Sequence, residues 1–172
     1  RRRVGKTFLV DEYFRHSYDF SFVGGHNLSV KKQLRNFAKA IKRYAKLPKL
    51  PKFEDWSEAF DALTELIESI SEERKKVIFI DEMPWIDTPH SDFVEEFENF
   101  WNGWAARRRD ILLLASGSAT SWMMDKLVDN QGGLHCRITS NIYLRPFTLQ
   151  EVEQYLTMKK CTWDRYQIVQ AY

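Results

Sequence analysis

Near the front of the chain, Gly5, Lys6 and Thr7 form a combination suited to holding phosphate. With a glycine five positions before Gly5, just ahead of Arg1, the run would read G-x-x-x-x-G-K-T, whose backbone amides cradle phosphates. "FLVDEYF" follows, and Phe8, Leu9 and Tyr13 are expected on the buried side of a helix. That puts Gly5 to Phe8 at a helix N-terminus, where free amides and the dipole favour an anion. In this arrangement Lys6 reaches the outer phosphates and the Thr7 hydroxyl binds Mg²⁺. A G-K-T alone also reads as a surface turn.

About 75 residues downstream the run "VIFIDE" ends in Asp81 and Glu82. Four apolar residues followed by a carboxylate place that carboxylate at the C-terminal rim of a parallel sheet, where ligands of open α/β folds bind. There Asp81 can hold Mg²⁺, and Glu82 can orient a water for attack on a terminal phosphate. A second apolar run, "ILLLASGSAT", ends in Ser116 and Ser118, either of which emerges beside Asp81 if the two strands are neighbours. A hydroxyl there can sense the γ-phosphate or position the lytic water, although Ser-Gly-Ser is also simply a good turn.

These residues need a scaffold, and the pattern supplies one. "VIFI" and "ILLLA" are apolar on every residue, as in strands buried on both faces. "YDFSFV" (18–23) alternates more and reads as a strand nearer an edge, and "NIYL" (141–144) as a fourth strand stopped by Pro146. Ser29 is expected to cap a helix carrying Leu34, Phe37 and Ile41. Asp55 with Glu58, and Thr148 with Glu151, have capping-box spacing. Trp56, Phe60, Leu63, Ile67 and Ile70 make one stripe; Phe93, Phe97, Phe100 and Trp104 make another, closed by Arg107 to Arg109. A last helix is expected from about Thr162. Strands alternating with helices predict a three-layer α/β sandwich with a mostly parallel sheet. Both ends read as cut.

The bulk properties exclude several classes. The 172 residues suit one domain, with 44% apolar and 29% charged residues and a formal net charge of only +2, so no net basic field argues for nucleic acid. Cys136 and Cys161 form no C-x-x-C, and His16, His26, His90 and His135 make no metal spacing, which fits a reducing cytoplasm. No apolar run approaches the roughly 20 residues of a membrane span.

Together, "RRRVGKTFLVDEYF", "VIFIDEMPW", "ASGSATSWM" and "RITSNIYLRPFTLQEVEQYL" resemble P-loop ATPases of the ASCE division, which includes AAA+ and the related STAND group. More narrowly, they are similar to a predicted ATPase family common in archaea and found in Bacteroides. The resemblance implies a P-loop NTPase core over residues 1–172, with a helical lid starting at about 148. It implies nucleotide binding by Gly5, Lys6, Thr7 and Phe8, Mg²⁺ held by Thr7 and Asp81, and a catalytic Glu82. Ser118 or Ser116 would be the sensor, and Arg137 would contact phosphate in cis or across a subunit boundary. The implied cofactors are ATP and Mg²⁺. The implied activity is ATP hydrolysis; the alternatives are a nucleotide-gated switch that assembles partners, homo-oligomers included, and a DNA-associated ATPase.

The charge distribution adds one further reading. Lys31 to Lys52 holds nine basic residues and no acid, and Glu54 to Glu73 holds eight acids and no base. The first run can be a nucleic-acid stripe. The favoured alternative is two neighbouring helices whose opposite charges attract, the acids screening the stripe over about one Debye length. Arg1 to Arg3 fall in the loop, drawn to phosphate or solvent. Trp85, in the loop after Glu82, is expected at the mouth of the site.

Overall fold

The computed structural model describes residues 4–128, 134 and 137–172; Arg1 to Arg3, His135 and Cys136 lie outside them. Three parallel strands form the sheet: β1 (Phe20–Val23), β2 (Lys76–Asp81) and β3 (Ile111–Ala115), in spatial order β1-β2-β3. Phe20 pairs with Ile78 and Phe22 with Ile80, while Ile78 pairs with Leu113 and Ile80 with Ala115. Every residue of β2 is buried, as its unbroken apolar run requires of a central strand.

Because the strands adjoin in chain order, right-handed crossovers put every connecting helix on one face. That face receives α2 (Val30–Tyr44), α3 (Trp56–Glu68) and α4 (Phe93–Gly103), which bury the Phe20, Phe22, Ile78 and Ile80 side. Phe60 sits at the centre, its ring 5.1 to 6.0 Å from those of Phe37, Trp56, Phe93, Phe97 and Phe100. On the opposite face the end of α1 (Lys6–Phe14) covers Phe79 through a chain of rings, Phe14 to Tyr18 at 6.1 Å and Tyr18 to Phe79 at 5.5 Å. The result is the three-layer α/β arrangement with a parallel sheet that the sequence pattern predicts.

Several local expectations are corrected. Phe8, Leu9 and Tyr13 are exposed, not buried. The half-buried stripe of α1 is Lys6, Val10 and Phe14, spaced by four, because the Tyr18 hydroxyl donates to Asp11 Oδ1 at 2.7 Å and fixes the roll of the helix. Segment 141–144 forms no strand. Ile142 and Tyr143 are 76% and 66% exposed, since an extended segment is stable only with a neighbour's amides and a covered face, and this one pairs with neither.

Other differences concern helix ends. Ser29 caps α2 through its carbonyl, with no side-chain bond. The Asp55 side chain accepts from the Glu58 amide at 2.9 Å, but Glu58 reaches back to the Glu54 amide rather than to Asp55. Helix α4 stops at Gly103, so Arg108 does not close it; its guanidinium pairs with Asp110 at 2.7 Å and holds that carboxyl far below the usual range, with Lys76 assisting. After β3 come a short α5 (Thr120–Met123) and a π-helical turn, then α6 (Leu149–Met158) with the full Thr148–Glu151 capping box. Helix α7 (Arg165–Ala171) starts three residues later than expected, at an Asp164 cap, and ties to α6 by an Arg165–Glu153 pair at 2.7 Å. No helix among the described residues is long and apolar enough to cross a membrane.

Candidate functional site

The C-terminal rim of the sheet gathers most of the predicted site residues. Gly5 precedes α1 at φ 87°, a left-handed conformation that favours glycine, and its carbonyl accepts the Leu9 amide at 2.9 Å. The amides of the first helical turn, from Lys6 onward, therefore have no carbonyl within the helix to bond.

Asp81, 3% exposed, ends β2. Thr7 Oγ1 donates to Asp81 Oδ2 at 2.6 Å, across 74 residues of sequence. The Ser116 hydroxyl donates to Asp81 Oδ1, and the Glu82 amide donates to the same oxygen at 2.9 Å. No described cation lies within ion-pair distance of Asp81. The donors that Asp81 has among the described residues are neutral, and a buried carboxylate gains from a positive charge beside it. A threonine hydroxyl beside a carboxylate is also a hard-oxygen donor set, of the kind that holds Mg²⁺ together with waters and phosphate oxygens. The residues thus fit that ion. Among the described residues, no group of three or more His, Cys, Asp and Glu converges to make a cage from protein alone.

Glu82 follows at φ 49° and ψ 42°, left-handed for a non-glycine residue, as the chain leaves β2 for the 3₁₀ turn Met83–Trp85. Its Oε2 accepts from the Ser118 hydroxyl at 2.9 Å. Ser116 extends the pairing of β3 beyond its last residue, donating its amide to Ile80 O at 2.9 Å and accepting from the Met83 amide at 2.9 Å. Both serines thus stand beside the acid pair, Ser116 on Asp81 and Ser118 on Glu82.

Lys6 is half-buried, one residue before Thr7 on the same helical turn. Phe8 is 62% exposed. Arg137 is exposed, its amide donates to Leu134 O at 3.1 Å, and no hydrogen bond or ion pair joins its side chain to Asp81 or Glu82. The structure therefore brings together Thr7, Asp81, Glu82, Ser116 and Ser118, while Arg137 is not hydrogen-bonded or ion-paired to any of them.

Two residues not anticipated hold this rim in shape. Gln33 is fully buried; its Nε2 donates to Gly25 O at 2.7 Å and to Trp85 O at 2.6 Å, while its Oε1 accepts from the Gly25 amide at 3.1 Å. One amide thereby ties the loop after β1 to the turn that follows Glu82. The available signal is a polar residue on the apolar stripe of α2, four positions before Phe37. Gly24 donates its amide to Asp81 O at 2.8 Å and lies so close to Glu82 O that any Cβ would collide with it. Trp85 lies in this turn against His26, with ring centroids 4.2 Å apart.

No protein-family model matches the chain, and no curated protein matches it either. Among solved structures it is similar to a Walker-type ATPase of Pyrococcus abyssi, with a TM-score of 0.63 at 16% identity over 99% of this chain and 55% of the other. The chain thus spans about half the length of that protein. At such identity the likeness speaks for architecture alone: the chain has the P-loop type of α/β fold.

Proposed function

We propose that the chain is the core of an Mg²⁺-dependent ATPase of the ASCE division, related to AAA+ and STAND proteins. The observation that carries the reading is the hydrogen bond between Thr7 and Asp81, which joins the G-K-T to the acid at the end of β2. The resemblance to a Walker-type ATPase supports it at the level of the fold.

In this reading the triphosphate lies against the N-terminus of α1. The amides of Gly5 to Phe8 line it and Lys6 meets the outer phosphate charge. Thr7 and Asp81 would hold Mg²⁺, which supplies neutralisation of charge on the phosphate oxygens when bound. Glu82 orients the attacking water and takes its proton as the water oxygen bonds to the γ-phosphorus and the bond to the ADP oxygen breaks. Ser118 acts through Glu82, fixing the carboxylate that it donates to, and Ser116 acts through Asp81. Arg137, which is exposed, is assigned a phosphate contact in cis or across a boundary between copies. Residues 1–172 form one ATPase unit in which α6 and α7 begin a helical lid.

The test is nucleotide binding and single-turnover hydrolysis in two variants. Lys6→Ala loses MgATP binding. Glu82→Gln keeps it and loses about 10²- to 10⁴-fold in turnover, the usual contribution of a positioned base. Unchanged turnover in Glu82→Gln overturns the assigned role. Nucleotide-dependent assembly with no turnover in the unmodified chain replaces the enzyme with a switch.

A further inference from the structure

The exposed side of α2 carries a cationic surface that the nucleotide site does not use. At 100° per residue, Lys31, Lys32, Arg35, Lys39, Lys42 and Arg43 all fall within one arc of about 120°. The buried Gln33, Leu34, Phe37, Ala40 and Ile41 occupy the opposite arc, packed into the core. All six cations are exposed except Lys42, which is half-buried. The basic run then continues off the helix to Lys52, where Lys46, Lys49 and Lys52 are also exposed.

The acids of α3 are not paired with this arc. No ion pair within 4 Å joins the basic residues of α2 to any described acid. Two of the four acids of α3 bond elsewhere: Glu58 accepts the Glu54 amide at 2.7 Å, and Glu68 accepts Trp104 Nε1 at 2.7 Å. The arc faces solvent without an ion pair, Lys39 donating to Asn36 Oδ1 at 3.4 Å and Arg43 to Ser21 O at 3.5 Å, with an acidic flank on one side.

We propose that this arc binds the phosphate backbone of double-stranded nucleic acid without reading its sequence. From Lys31 to Arg43 the helix rises about 18 Å, enough to follow roughly five phosphates of one strand at 3.4 Å each. The composition of the arc argues against other polyanions. Single strands are held by exposed aromatic platforms, and the aromatics of α2 are the buried Phe37 and the half-buried Tyr44, whose ring lies under Arg43 at 4.8 Å. A membrane surface takes the apolar face of a helix, and that face of α2 is in the core. An acidic protein surface would be met by an apolar centre, which the arc lacks. The proposal does not depend on the ATPase reading.

The test is fluorescence anisotropy of the full chain with a labelled duplex of about 20 base pairs, without nucleotide, from about 50 to 300 mM salt. The expected result is binding at low salt with a slope of log K against log salt near −4 to −5, about 0.9 for each phosphate contact. Lys39→Gln/Lys42→Gln/Arg43→Gln reduces that slope by about 2 to 3 and weakens low-salt binding at least tenfold. A second variant on the same arc, Lys31→Gln/Arg35→Gln, reduces it by about 2. Lys159→Gln/Lys160→Gln, after α6, leaves it unchanged. No duplex binding at low salt, undiminished binding in both arc variants, or equally tight binding of polyglutamate or anionic vesicles overturns the proposal.

Discussion

Replacing Gln33 with leucine tests whether one buried amide holds the rim together. Leucine is close in volume, so the change removes three hydrogen bonds with little cavity. It takes away the Gln33 side-chain partner of the Gly25 amide, the Gly25 carbonyl and the Trp85 carbonyl, in a site where that side chain is 0% exposed. Each orphaned buried group costs about 1–3 kcal/mol. Gly25 and Trp85 are only half-buried, so water reaches part of what is orphaned and the total falls to about 2–4 kcal/mol. Against a total stability of about 5–15 kcal/mol this is a large fraction. Urea unfolding followed by tryptophan fluorescence reads it as a lower midpoint at constant m-value. A loss below about 1 kcal/mol would show that the two loops keep their places without the amide, and the reasoning would fail.

Gly24→Ala is expected to cost about 1–3 kcal/mol and to reduce turnover more than nucleotide binding, because the added Cβ presses on Glu82 O and, at 2.8 Å, on Ile86 Cγ1; paired unfolding and kinetic measurements check it. Asp19 is buried, which by itself raises its carboxyl, but the Arg74 guanidinium at 2.7 Å and the Val77 amide outweigh burial and hold it below the usual range. Its contribution is therefore present above the unfolded value of about 4 and lost as pH falls through the lower folded value. Asp19→Asn should flatten the acid limb of a stability–pH profile and cost about 1–3 kcal/mol at neutral pH. Phe60→Ala, at the centre of the ring cluster, should cost about 3–5 kcal/mol in chemical denaturation, and a smaller value would mean that the α3–α4 core collapses around the gap.

Signals carried by neighbouring residues were legible without coordinates. The runs "VIFI" and "ILLLA" became strands, Thr148 with Glu151 became a capping box, and Gly5 became the residue before a helix, because each depends on side chains a few positions apart. The adjacency of Ser116 and Asp81 followed conditionally, once two parallel strands were placed side by side. At the edge of the described sheet, however, β3 is only half-buried, with Leu112 39% exposed, where its apolar run predicts burial on both faces. The fold class was legible for the same reason, since alternating strand and helix patterns leave few layered arrangements. Other features were settled only by packing. Phe8, Leu9 and Tyr13 read as a buried side, yet the Tyr18–Asp11 hydrogen bond rolled α1 the other way. "NIYL" has strand composition but finds no ladder, because a strand exists only with a neighbour. Gln33 looked like a polar residue in an apolar stripe until the loops from β1 and β2 arrived at its amide. Local chemistry chose the elements; which polar groups met across 50 or more residues of chain was decided by burial, where each donor and acceptor had to find a partner or bear the cost of having none.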